Sequence, residues 1–191
     1  MEKQTRRFFI ALPVDDKIVI DSLAGITGFL NIHGSSLKTV PSDNYHLTLK
    51  FFGSLEPEVY EKLINSFEIK VPLKRIEYKI KGLGVFPLHG EPSVIWAGLD
   101  CEKQPLSEII RSVENFSSSL GFVPDKRGLI PHLTLARVKK GKAVHGDIKK
   151  LISDERHTLF SSSAFSELVL FESILRTEGP EYKRVKVIKL T

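Results

Sequence analysis

The sequence predicts a two-lobed α/β (α+β) fold with approximate two-fold symmetry, and three observations predict it. The order strand–helix–strand–helix–strand runs through the chain twice, over about 6–85 and 93–174. The tetrapeptide His-Leu-Thr-Leu stands in the same strand of each pass, at 46–49 and again at 132–135. One strand is left over at 182–190, with a Glu178-Gly179-Pro180 turn before it. An internal repeat constrains architecture, and two copies are too few for a solenoid. The expectation is one bilobal domain over 1–191.

The elements follow in order. A strand is expected at 6–12, where the apolar run from Phe8 begins behind Arg6 and Arg7. A helix over 15–30 places Val19, Leu23, Ile26 and Leu30 on one face. The turn Pro41-Ser42-Asp43-Asn44 opens a strand over 45–52, ended by Gly53. Pro57 starts a helix to Phe67, with Val59, Leu63, Ile64 and Phe67 inward. Alternating Ile76, Tyr78 and Ile80 mark the next strand. The second pass gives a strand at 94–99 and a helix at 105–120, with Leu106, Ile109, Val113, Phe116 and Leu120 inward and Gly121 as its stop. A loop through Pro124, Asp125, Lys126, Arg127 and Gly128 leads to a strand at 131–138. A helix at 147–156 and a strand at 166–174 complete the pass.

Composition narrows the class. The 191 residues are 41% hydrophobic and 27% charged, values ordinary for a globular protein. No run approaches the roughly 20 apolar residues that span a bilayer. The run Phe8 to Val14 behind Lys3, Arg6 and Arg7 stops at Pro13-Val14-Asp15-Asp16 without a small-residue cleavage site, so it reads as a strand and not a signal peptide. The single Cys101 excludes an internal disulfide framework and a cysteine-rich metal site. These features together lead to the expectation of a cytoplasmic protein. The formal charge of +5 favours phosphate-rich partners without identifying one.

The paired tetrapeptides carry the chemistry. Side chains alternate across a strand, so His46 shares a face with Thr48, and His132 with Thr134. Leu47, Leu49 and Phe51, like Leu133 and Leu135, are expected on the core face. Two-fold symmetry then gathers two histidines and two threonines around one cleft. Opening a cyclic phosphate needs a base for the incoming water and an acid for the departing sugar oxygen. Histidine supplies either form near neutral pH. Threonine hydroxyls donate hydrogen bonds to the non-bridging oxygens as charge builds there. Such a site needs no metal, and threonine is a poor ligand in any case.

The stretches Arg7–Leu12, Asn44–Gly53, Ile95–Gly98 and Pro131–Arg137 resemble the two-histidine phosphoesterase superfamily, and within it the RNA 2′,3′-cyclic phosphodiesterases, the LigT-like or 2′-5′ RNA ligase family. The resemblance covers nearly the whole chain. It implies a bilobal fold, each lobe a mostly antiparallel sheet with flanking helices around a central cleft. It implies metal-independent hydrolysis of RNA 2′,3′-cyclic phosphate ends to 2′-phosphomonoesters, with no cofactor. By likeness, His46 is the proton donor to O3′ and His132 the proton acceptor from water. Thr48, Thr134 and Arg137 are the substrate-binding residues, and there is no metal. The implied partner is RNA with a cyclic phosphate end, tRNA fragments being one form; no membrane partner and a monomer are expected. The alternatives are a phosphodiesterase on another nucleotide, such as a 2′-5′ linked oligonucleotide, with reversible ligase activity, or a non-catalytic RNA-end-binding protein.

Lesser candidates complete the reading. Strict alternation puts Arg137 on the Leu133 face, away from His132, unless a bulge or the strand's end re-aims it. Lys50 shares the His46 face by alternation. Arg6 and Arg7 are candidates for RNA phosphates, and Tyr45, Phe52, Phe86 and Trp96 for stacking on a terminal base. Lys139, Lys140, Lys142, Lys149 and Lys150 form a basic stretch. His33, His89, His145 and His157 lie outside the motifs and are expected on the surface. No glycine-rich loop supports nucleotide triphosphate use, Gly82-Leu83-Gly84 being too short.

Overall fold

Strand β1 (Arg6–Pro13) has Phe8 to Leu12 buried on both faces, the mark of a strand inside a sheet that is covered on either side. A computed structural model of the chain, describing residues 4–69, 74–124, 128–177 and 179–191, shows how it is covered. Phe8, Ile10 and Leu12 face the main core, while Phe9 and Ala11 join Val169 and Phe171 in a smaller apolar cluster on the opposite face. Lys3, the loop residues Asp125 to Arg127 and the turn residue Glu178 lie outside the described residues.

The expected single helix over 15–30 is two helices, α1 (Lys17–Ser22) and α2 (Ala24–Ile32). Asp16 caps the first, accepting the Ile18 N–H at 2.9 Å. Leu23 ends it by turning its N–H to the Ile20 carbonyl, one residue short of the helical partner. A short strand β2 (Leu37–Thr39) precedes β3 (His46–Leu55), which runs on through Gly53. Helix α3 (Pro57–Asn65) leads to β4 (Ile76–Phe86). Then come β5 (Val94–Cys101), α4 (Lys103–Ser119), β6 (His132–Val138) and α5 (Gly146–Asp154). The chain ends with β7 (Leu159–Phe165), β8 (Glu167–Leu175) and β9 (Pro180–Lys189). Among the described residues no helix is long and apolar enough to cross a membrane.

The strands form two antiparallel sheets, in the orders β3-β1-β8-β9 and β2-β6-β5-β4-β7. The expected α+β architecture is present, but the lobes are not consecutive halves. The third strand of each pass crosses over: β4 joins the second sheet and β8 the first. The order β3-β1-β8-β9 is thereby matched by β6-β5-β4-β7, each beginning with a motif strand. Gly98 stands opposite His132 in this second sheet. A Cβ there would lie 2.5 Å from the Lys81 carbonyl oxygen, so the approach of β4 depends on glycine.

Two interruptions of the β1–β3 register overturn part of the alternation argument. The register passes from Phe8↔Gly53 to Phe9↔Phe51, and from Ile10↔Lys50 to Ala11↔Thr48, leaving Phe52 and Leu49 as extra residues. Each extra residue flips the parity of the positions beyond it. Lys50 therefore turns inward and is 7% exposed, with its Nζ 3.0 Å from both Glu114 carboxylate oxygens and from the Val123 carbonyl. It does not line the cleft. Phe51, expected inside, is 52% exposed on the His46 side instead. Lys50→Met is expected to destabilise the fold by about 1–3 kcal/mol, because Glu114 keeps a partly buried carboxylate without its cation. Denaturant unfolding should show that loss, Lys50→Met/Glu114→Leu should recover most of it, and kcat should not move in either variant.

Candidate active site

The chain enters strands β3 and β6 in the same way, and this sets both histidines. His46 Nδ1 lies 2.7 Å from the Asn44 carbonyl oxygen, and His132 Nδ1 lies 2.8 Å from that of Ile130. A carbonyl only accepts, so Nδ1 carries the hydrogen in each ring and Nε2 is left for the cleft. The Asn44 turn is itself held, its side-chain amide donating to the Pro180 carbonyl at 3.0 Å.

Aromatic rings fix the ring planes. Tyr182 meets His46 edge-on, with centroids 5.3 Å apart at 84°, and Phe9 packs at 4.9 Å. Phe86 meets His132 edge-on at 4.9 Å and 84°. His46, Thr48, His132, Thr134 and Arg137 line one cavity of about 670 Å³, so the four motif side chains expected to converge do so. Lys38, Lys139 and Arg176 add positive charge to its wall. No carboxylate or thiol among the described residues lines it.

Arg137 reaches this cavity through a bulge. The β5–β6 register passes from Ile95↔Ala136 to Trp96↔Thr134, leaving Leu135 extra. Leu133, Leu135 and Ala136 are all buried, and Arg137 returns to the face of His132 and Thr134. It also lines a second cavity of about 460 Å³ that shares His46, Thr48 and Tyr182 with the first. There Arg7 places its guanidinium 5.3 Å from the centre of the Phe51 ring.

Both histidines are harder to protonate than free imidazole. Burial pushes His46 down to about 4, against the Asn44 hydrogen bond, which raises it; Arg137 and His132 add small repulsions. His132 is lowered by burial and by Arg137, opposed by its bond to Ile130. At neutral pH the free site therefore holds two neutral rings, each with a bare Nε2. An anion bound between them favours the protonated form.

The remaining candidates separate. Tyr45 is buried in the core, and burial raises its phenol to about 12. Phe52 packs on Phe122, and Trp96 lies behind His132 beside Phe86; none of these four aromatics lines either cavity. Arg6 is taken by Glu172 at 3.6 Å and by the Tyr60 ring, whereas Arg7 faces the cleft. Of the basic stretch, only Lys139 lines the cleft. Tyr182 lines both cavities and is not singled out by the sequence, where it is merely the one aromatic of the last strand. Among the described residues, three potential metal ligands, His33, His145 and Asp147, bring one ligand atom each within 4.8 Å of the others, outside the cleft.

Comparison with known proteins finds relatives over most of the chain. A family model described as LigT like Phosphoesterase matches residues 20–96, a span that contains the first motif. An RNA 2′,3′-cyclic phosphodiesterase of Aeropyrum pernix is 32% identical over 90% of this chain and 96% of its own length. One from Archaeoglobus fulgidus is 31% identical over 96% of this chain and 99% of its own. Among solved structures, Escherichia coli LigT complexed with 3′-AMP superposes with a TM-score of 0.72 at 20% identity, covering 98% of this chain and 99% of LigT. A Thermus thermophilus protein superposes at 0.75 and 23% identity, covering 96% of this chain and 97% of its own. At these identities the solved structures establish the fold: two antiparallel sheets with flanking helices.

Proposed function

The chain belongs to the LigT-like phosphoesterases, the family of the RNA 2′,3′-cyclic phosphodiesterases, and from that premise we propose that it hydrolyses RNA 2′,3′-cyclic phosphate ends to 2′-phosphomonoesters. The observation that carries the mechanism is the matched pair of Nδ1–H···O=C bonds, which leaves an equivalent Nε2 on each of two strands lining one cavity.

The reaction begins with His46 protonated and His132 neutral. The negative charge of the cyclic diester opposes the burial that holds His46 down, so the proton arrives with the substrate. His132 Nε2 takes a proton from water, and the water oxygen attacks phosphorus in line with the bond to O3′. As that bond breaks, His46 Nε2–H protonates O3′. The products are a 2′-phosphate and a free 3′-hydroxyl, and solvent returns the proton from His132 to His46. Thr48 and Thr134 donate to the non-bridging oxygens, and Arg137 supplies a charge-assisted donor fork beside them. Both motif pairs and Arg137 come from a single chain, so a monomer is a complete catalytic unit.

The test is hydrolysis of a short RNA ending in a 2′,3′-cyclic phosphate, with EDTA present throughout. Turnover undiminished by EDTA is expected, with the phosphate assigned to the 2′ position by phosphorus NMR. A 3′-phosphate product would reverse the leaving group, and folded protein without turnover would remove the catalytic assignment for this substrate.

A further inference from the structure

A group of side chains outside the cleft has the composition of a metal site. His33 closes α2, and His145 and Asp147 stand at the start of α5. Buried Leu30 on one side, and Val144 and Ile148 on the other, pack both helix ends into the core, so the three side chains project from fixed backbone. His33 Nε2 lies 3.1 Å from Asp147 Oδ2, and the two imidazole rings are 5.2 Å apart. One ligand atom from each residue lies within 4.8 Å of the others. The carboxylate is already oriented: Oδ1 accepts the Ile148 N–H at 2.9 Å, which leaves Oδ2 for a ligand.

We infer that His33, His145 and Asp147 bind a divalent transition-metal ion of zinc type. Two imidazole nitrogens and one carboxylate oxygen suit zinc or cobalt, whereas calcium and magnesium prefer shells of oxygen alone. Tetrahedral zinc with bonds of about 2.0–2.2 Å needs its ligand atoms closer together than this span, and the exposed His145 ring closes the gap by rotation. The open side takes water as the fourth ligand. With the ion bound, His33 Nε2 and Asp147 Oδ2 both face the metal, and the His33 ring carries its hydrogen on Nδ1.

The ion acts on the wall of the cleft and not on the reaction, since none of its ligands lines either cleft cavity. His33 leads into the segment that carries Lys38 and Thr39, while His145 follows the segment that carries Lys139. The two segments already meet: Lys139 N–H donates to the Ser36 carbonyl at 2.8 Å, and its Nζ to the Gly34 carbonyl at 2.5 Å. A metal at their far ends staples both to one point.

The test is calorimetric titration with zinc, and cobalt absorption, in the His46→Asn/His132→Asn background, where the cleft imidazoles cannot compete. One ion per chain is expected. Adding His145→Ala or Asp147→Asn, the latter keeping the acceptor for Ile148, should weaken binding at least tenfold and abolish a zinc-dependent rise in Tm. No saturable binding by the folded parent, or equal affinity in parent and variants, would overturn the site.

Discussion

Replacing either His46 or His132 by asparagine is expected to lower kcat by about 10²- to 10⁴-fold, the range for loss of a general acid or base. Asparagine is the informative replacement. Its amide nitrogen takes over the bond from Nδ1 to the Asn44 or Ile130 carbonyl, so the turn before each strand stays satisfied while the titratable Nε2 is lost. The stability cost is then confined to ring contacts with Phe9 and Tyr182, or with Phe86, about 1 kcal/mol. Acid and base act in one step, so the double variant should lose about as much as the worse single variant. A substrate whose bridging O3′ is sulfur, which departs without a proton, should restore more activity to His46→Asn than to His132→Asn. The opposite rescue would exchange their roles. Wild-type turnover by either folded variant would remove that histidine from the mechanism.

The motif was legible because the chemistry constrains residue type and strand geometry constrains spacing: His-x-Thr puts two polar groups on one face, and its recurrence in the same strand of each pass implies a shared cleft. The apolar faces of the helices were legible for a similar reason, since Leu63, Leu106, Ile109 and Val113 recur at helical spacing and are buried. Bulges leave no such mark. The extra residues Leu49, Phe52 and Leu135 are ordinary apolar strand residues with nothing in their type to mark a bulge, yet they decide that Lys50 turns in, that Phe51 turns out and that Arg137 reaches the cleft. Strand β7 was missed because Leu159-Phe160-Ser161-Ser162-Ser163-Ala164-Phe165 lacks apolar alternation, and β2 because three residues make no pattern. The exchange of β4 and β8 between sheets is a long-range pairing that local sequence does not encode. It has a consequence for the site, because each motif strand sits in a sheet completed by the other pass, so neither wall of the cleft forms without both.

Arg137 is where that geometry meets electrostatics, and Arg137→Ala is expected to lower the pH-independent maximum of kcat/KM by about 10- to 10²-fold. That is the loss of one charge-assisted hydrogen bond, about 1.5–3 kcal/mol. The pH profile should move as well. The Arg137 charge lowers both His46 and His132. In the free enzyme one histidine must be neutral and the other protonated, so their two pKa values bound the bell of kcat/KM. Removing the cation raises both, and the whole bell shifts to higher pH. A comparison at pH 7 alone therefore understates the loss, because the variant's alkaline limb has moved toward the assay pH. Arg137→Lys separates the two effects: the restored charge should return the limbs toward their wild-type positions, while the ammonium, lacking the guanidinium fork, should recover only part of the maximum. A solvated surface arginine would do neither, leaving the maximum of Arg137→Ala within about twofold of wild type and both limbs in place, well short of the expected loss.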